Sequence, residues 1–531
     1  MKTASFNPVF WFCALSLSCS LFAQQADVPA PPSIQGQNAP ATTLTIPGIF
    51  AEGGITGRAP ESVAWSPDGS RVSYVLRDDS GEHGQLWYVD LQTGTPAVLV
   101  ASEKLASLVP PDATVGKQAA KDDREKERRT RYSVADYHWA PDSGHLLFES
   151  KGQLWLYRLS NGTAIQLTSS SDPLGDPKFS PDGSHISYIR KHNLYVRPVN
   201  GDREAPLTSS KDKDDNILNG EVDWVYAEEL DVRSNYFWSP DGKHIAYLQM
   251  NETAVPEYPI TDFIPLHPTV DKQKYPKAGD PNPEVRIGVV EASSGHQRWI
   301  KLSPELEKDK DYYIPRFGWI NKNLLYAQVL NRAQNQLDLY VIELESGRSQ
   351  LVLSEKSDAW VEVNDNFRVL KSGDRFLWSS WRDGHTHLYL YSFSPGSPLN
   401  GAAKLERQLT KGDFEVFSLN AVDESSGTVY FTANKDDARQ RQLYAVKLDG
   451  GDLRKISQEE GTHQVTFSEN GAHYVDNFSA LVVPPQLSLC AAGQEGCKSF
   501  WHSRDLAALH LIKPQFVDFT AEDGTVLQAE I

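Results

Sequence analysis

Trp238-Ser-Pro-Asp-Gly242, followed by the alternating run His244-Ile-Ala-Tyr247, decides how the chain is read. Ser-Pro-Asp-Gly suits a type I turn, with Pro fixing φ at the second position and Gly at the fourth. The aromatic before it closes one strand, and the alternating run after it opens the next. The same signal stands at Trp65-Ser-Pro-Asp-Gly69, Trp139-Ala-Pro-Asp-Ser-Gly144 and Phe179-Ser-Pro-Asp-Gly183. Weaker copies follow at Trp319-Ile-Asn-Lys-Asn323, Leu370-Lys-Ser-Gly-Asp374, Val422-Asp-Glu-Ser-Ser-Gly427 and Phe467-Ser-Glu-Asn-Gly471, making eight. Further strands such as Gln153-Leu-Trp-Leu-Tyr157, Asn193-Leu-Tyr-Val196 and Gln442-Leu-Tyr-Ala-Val446 supply hairpin partners. Most markers lie about 40 to 60 residues apart, one four-stranded blade each. The repeat predicts an all-β, eight-bladed β-propeller whose blades bury their faces against neighbours.

Two longer gaps must hold insertions. Residues 117–131 (KQAAKDDREKERRTR) predict an exposed helix with near-neighbour ion pairs, or a solvated spacer. The Pro-rich run 255–283 predicts a loop. After the eighth marker, Asp505-Leu-Ala-Ala-Leu-His510 reads as a short helix. Phe516 to Leu527 reads as a hairpin turning at Glu522-Asp-Gly524. An isolated hairpin is marginal in water, so the expectation is the first hairpin of a missing domain.

Lys2, the mostly apolar Val9 to Phe22 and Leu21-Phe-Ala23 predict a signal peptide over residues 1–23, the run being short for a transmembrane span, with an uncleaved membrane anchor as the alternative. An Ala-, Pro- and Gln-rich leader follows over 24–45. No second apolar run of about 20 residues follows, so no membrane association is expected after export to the periplasm or the extracellular space. The formal net charge of −18 argues against a nucleic-acid partner. Cys490 and Cys497 are the two cysteines left after the signal, and in an oxidising compartment a small-loop disulfide is expected. No Cys/His ligand set accompanies them, so neither a metal nor another cofactor is expected.

One segment breaks the rhythm. Asp223 to Arg233 has no period-2 alternation, no Gly and no Pro, and reads as a short helix. Within it Glu228 and Glu229 are adjacent, beside Trp224 and Tyr226. Neighbours on a helix diverge by about 100° and can tilt toward one centre, where two carboxylates repel unless a cation lies between them. A compact ammonium suits that geometry; a solvated Glu-Glu pair is the ordinary alternative.

Asp223-Trp-Val-Tyr-Ala-Glu-Glu229 with Trp238-Ser-Pro-Asp-Gly242 resembles the dipeptidyl-peptidase IV family of serine peptidases. Ala246 to Thr253, Tyr275-Pro-Lys-Ala-Gly279 and, more weakly, Leu409 to Val416 look like the same family's propeller. The resemblance spans most of residues 45–531. It implies an eight-bladed propeller over 46–505 that covers an α/β-hydrolase domain, of which residues 506–531 would be the truncated start. It further implies that Glu228 and Glu229 hold the free amino terminus of a peptide, with Asp223, Trp224 and Tyr226 supporting the motif. Cleavage would fall after the second residue, commonly Pro or Ala. The family often carries a third Glu where this chain has Ala227. It also uses an Arg for a substrate carbonyl; Arg124, Arg128, Arg129 and Arg131 are candidates, with Arg128 put forward.

The expected function is therefore the substrate-gating propeller of an exported serine dipeptidyl peptidase, and the resemblance implies homodimers of the complete protein. No Gly-x-Ser-x-Gly elbow occurs in the 531 residues, so catalytic residues are expected elsewhere and the chain alone should be inactive. Two other readings use the repeat. A non-enzymatic secreted propeller would leave the terminal hairpin without purpose. A translocation-accessory propeller would leave Asp223 to Glu229 unexplained.

Overall fold

The computed structural model describes residues 44–531 apart from 82, 108–135, 151, 171, 211–215 and 495. The signal peptide, nearly all of the leader, the charged 117–131 segment and Arg128 lie outside the described residues.

Eight antiparallel sheets follow one another along the chain, at 61–100, 136–166, 175–206, 217–299, 312–356, 368–408, 416–455 and 462–502. These are blades 1 to 8 of a β-propeller. Each is built in sequence order, strand beside strand, and every marker spans the turn that leads into the long inner strand next to the blade's first. In the turns Gly69, Gly183 and Gly242 close on Ser66, Ser180 and Ser239 at 2.8–2.9 Å. These glycines sit at φ of 68–69°, where a Cβ would be strained. The serine hydroxyls donate to the turn aspartates, Ser66 to Asp68 at 2.6 Å and Ser239 to Asp241 at 2.7 Å.

The marker tryptophans do more than end strands. Trp139 Nε1 donates to Ser73 Oγ at 2.7 Å, Trp238 to Ser187 Oγ at 2.8 Å and Trp319 to the Phe237 carbonyl at 3.0 Å. Each reaches the preceding blade. Trp65, in blade 1, donates to the Thr466 carbonyl of blade 8 at 2.9 Å and so helps to close the ring. The same seam buries Val72, Tyr74 and Val89 against Val475, Leu487 and Leu489. Arg504 adds a two-pronged ion pair with Asp79.

Two local readings change. The 255–283 run is not only a loop: Glu257–Asp262 pairs with Thr269–Lys274 in a hairpin standing off blade 4. Its strands are exposed on both faces, so burial imposes no alternation, and Pro259 is tolerated because both strands are edges. The predicted Asp223–Arg233 helix shortens to Trp224–Glu228. Leu230 and Val232 must both be buried, and the chain turns them inward by placing Asp231 at φ 50°. The terminal hairpin is present as Phe516–Thr520 paired with Val526–Glu530. Cys490 and Cys497 form a disulfide between neighbouring strands of blade 8. Among the described residues no helix is long and apolar enough to cross a membrane.

Candidate functional site

Blade 4 differs from the others in its first strand, which is split. Ile217–Asn219 and Tyr236–Trp238 both pair with His244–Asn251. Gly220 N–H donates to the Leu248 carbonyl at 2.8 Å, and Leu248 N–H donates to that of Asn235 at 2.9 Å. The chain thus leaves the ladder and rejoins it at one residue, and the intervening excursion carries Glu228 and Glu229.

The excursion is amphipathic. Val225, Tyr226, Leu230 and Val232 enter the largest hydrophobic cluster, alongside Tyr313, Ile314 and Phe317 of blade 5. Burying each such side chain contributes about 1.5–3 kcal/mol. Asp223 caps the helix, its carboxylate accepting from Tyr226 N–H at 2.9 Å. Trp224 packs on Tyr275, ring centroids 4.3 Å apart, and Tyr275 in turn on Tyr258 of the hairpin at 5.5 Å.

Glu228, the last helical residue, and Glu229, the helical C-cap (φ −94°, ψ −28°), are both exposed. Among the described residues neither side chain has a hydrogen-bond or ion-pair partner. The helix has no basic residue in its last turn, where carboxylates face the negative end of the peptide dipoles at a cost of about 0.3–1 kcal/mol. Arg233 is nearby in sequence, but its guanidinium bonds the Ala227 carbonyl at 3.0 Å and Asp231 at 2.7 Å. Among the described residues the pair is therefore an uncompensated anionic spot on a packed base, suited to a cation.

More acid lies behind it. Burial pushes the Asp223 carboxyl up to about 6 despite its backbone hydrogen bonds. Glu252 rises to about 7, through burial first and the Asp223 charge second. Both are folded-state values above the ordinary carboxylate range near 4. Their protonated forms are thus favoured by the fold, and the stability they contribute is full below about pH 4 and lost as pH rises through the raised values. Asp223→Asn, which keeps the cap acceptor without the buried charge, should stabilise the protein at pH 8 by about 2 kcal/mol, and the gain should vanish by pH 4. Asp223→Ala, which loses the cap, forfeits about 1 kcal/mol of that gain. Denaturant unfolding of both variants at the two pH values measures the difference.

The structure thus gathers Asp223, Trp224, Tyr226, Glu228 and Glu229 on one excursion of blade 4, while the Cys490–Cys497 bridge belongs to blade 8. Sequence reasoning missed the roles of Tyr275, Glu252 and Arg316 in the surroundings of the pair. Only Glu252 carried a local signal, an acid directly after the largely apolar and buried strand His244–Asn251.

The profile of the family described as the dipeptidyl peptidase IV (DPP IV) N-terminal region matches residues 132–485. A probable dipeptidyl-aminopeptidase B of Penicillium rubens is 32% identical over 314 residues, covering 54% of this chain and 34% of that protein. Its counterpart from Emericella nidulans is 29% identical over 313 residues, with the same coverage. The chain thus spans about a third of the length of these curated relatives. The crystal structure of Porphyromonas gingivalis dipeptidyl peptidase 4 superposes with a TM-score of 0.73 at 23% identity, covering 93% of this chain and 67% of that one. At that identity the likeness concerns the fold.

Proposed function

We propose, from the premise that this chain belongs to the dipeptidyl peptidase IV N-terminal-region family, that Glu228 and Glu229 bind the free α-ammonium of a peptide. The chain is then the substrate-selecting propeller of an exported serine dipeptidyl peptidase that releases X-Pro and X-Ala dipeptides. One observation carries the reading: two adjacent carboxylates, exposed and without partners among the described residues, at the wrong end of a helix for anions, on a packed apolar base.

An ammonium between two carboxylates makes charge-assisted hydrogen bonds, each contributing about 1.5–3 kcal/mol. Fixing that nitrogen also measures the substrate. Two extended residues span about 7 Å, so the anchored amine sets which carbonyl meets the nucleophile. With no Gly-x-Ser-x-Gly in the chain, its part in the reaction is to bind and admit, and the acyl transfer to Ser belongs to residues outside these 531.

Acetylating the peptide amine removes the charge and leaves a single donor. Isothermal titration should show an N-acetylated X-Pro peptide binding at least about 100-fold more weakly than its free counterpart. Affinity for the free peptide should also fall above about pH 8, where α-amino groups lose their proton. Equal affinity for the two peptides would refute the proposal.

A further inference from the structure

The first strand of blade 5, Tyr312–Asn321, slips its register against Leu324–Asn331 between Tyr313 and Arg316. Such a bulge leaves backbone groups without ladder partners. Here Pro315 has no N–H, and the buried N–H of Ile314 is taken by the hydroxyl of Tyr226 at 2.8 Å. On the far side of the bulge, Arg316 Nη1 donates to the Leu230 carbonyl and to that of Pro315, each at 2.9 Å. The other edge of the guanidinium grips both oxygens of Asp365.

Asp365 is itself held. Its neighbour Asn364 exchanges hydrogen bonds with Gln328 of blade 5, at 2.7 and 3.2 Å, and donates to the Ser379 carbonyl of blade 6 at 2.7 Å. Asn366 accepts from Leu419 N–H of blade 7 at 2.6 Å. All three amide side chains, Gln328, Asn364 and Asn366, are buried. The two attachments of the excursion therefore bracket the carboxylates, Tyr226 two residues before Glu228 and Leu230 one after Glu229, and lead into three other blades.

We propose that the bulge of blade 5 is the seat that positions the carboxylate pair, with Tyr226 and Arg316 as positioning residues at its two ends. The proposal rests on the reading of Glu228 and Glu229 as amine ligands. A five-residue helix cannot sustain itself in water, so tertiary contacts must place the carboxylates, and these two hydrogen-bonded anchors stand beside the pair where packing alone would leave its direction open. A displacement of about 1 Å at a substrate contact can cost 10²-fold. Lysine cannot replace Arg316, because one ammonium does not reproduce a planar fork serving carbonyls on one edge and a carboxylate on the other.

Two readouts on the chain test this: hydrogen exchange of the Glu229 and Val232 amides, and the affinity ratio between free and N-acetylated X-Pro peptide. In Arg316→Gln, exchange at both amides should quicken at least about 10-fold while the blade 7 strand Gln442–Lys447 stays as it was. The affinity ratio should fall about 10-fold. Arg316→Lys should recover only part of both. Asp365→Asn, a change at an exposed side chain, should move both readouts the same way by less, and it guards against misfolding of the Arg316 variants. Unchanged exchange in Arg316→Gln and Asp365→Asn overturns the seat, as does faster exchange with an unchanged ratio. A wild-type protein with no preference for the free amine overturns the amine reading instead, and exchange alone then judges the seat.

Discussion

Replacing Glu228 and Glu229 together by glutamine is expected to weaken binding of an unblocked X-Pro peptide by about 10²-fold, leaving the N-acetylated peptide unaffected. Two charge-assisted bonds at about 1.5–3 kcal/mol each would support as much as 10⁴-fold. The lower end is chosen because both carboxylates are exposed, and exposed ion pairs contribute little until a ligand excludes water. In a longer form of the protein that carries a nucleophile, the loss should appear in kcat/KM for dipeptide amides. The melting temperature should hold or rise slightly, since the substitution removes two carboxylates from the C-terminal end of a helix. Calorimetry and a thermal scan on one preparation separate lost binding from lost fold. Undiminished affinity for the free peptide in the double variant would exclude these residues as the amine site.

The largest stability effect is expected far from that site. In blade 8 the His463 ring is 1% exposed, and both its nitrogens face acceptors: Nδ1 lies 2.7 Å from Asp476 Oδ2 and Nε2 3.0 Å from the Glu459 carbonyl. Only an imidazolium can donate in both directions. Burial opposes the charged ring, but the Asp476 hydrogen bond and charge and the Glu459 carbonyl outweigh it, so its pKa is raised. The stability it contributes is full below the unfolded value near 6.5 and is lost as pH rises through the raised folded value. Asp476→Ala should cost about 3–5 kcal/mol at pH 6, because it leaves a buried charge unpaired. That penalty should be smaller at pH 9 than at pH 6, since the charged form of the ring declines as pH rises. Unfolding at the two pH values gives the comparison, and a pH-independent loss would mean that packing, not charge, is what Asp476 supplies. The backbone beside it joins blades 7 and 8 through Arg441 N–H to the Gly461 carbonyl at 3.1 Å and His463 N–H to that of Arg441 at 2.9 Å. Loosening should therefore spread across that junction.

The eight turns were legible because a tight turn demands particular backbones at fixed offsets, and Pro and Gly advertise them. What the turns could not reveal is that Trp139, Trp238 and Trp319 donate to the preceding blade, since their partners lie 66, 51 and 82 residues away. Blade 4 was readable as a blade but not as a split strand. Ile217–Asn219 and Tyr236–Trp238 are three residues each, too short for alternation to register. Prolines hid the hairpin at 257–274, whose two exposed faces leave no hydrophobic pattern to find. For the pair itself, adjacency, helical backbone and missing cation could be reasoned from residues 221–233. The support could not. Tyr226 meets Ile314 across 88 residues and Leu230 meets Arg316 across 86, and no local pattern announces either contact.

The way the ring closes has a consequence in time. Each blade is an unbroken stretch of chain, so a nascent chain can finish its blades one after another as it is made. Trp65 must wait for Thr466, 401 residues later, and Asp79 for Arg504, 425 residues later. At synthesis rates of about 5–20 residues per second, that delay is roughly 20–80 s. Throughout it, the apolar face that Val72, Tyr74 and Val89 will bury against blade 8 has no native cover, the kind of surface on which partly made proteins aggregate. The first blade synthesised is the last to be sealed, and its open flank is where a holding chaperone would matter most.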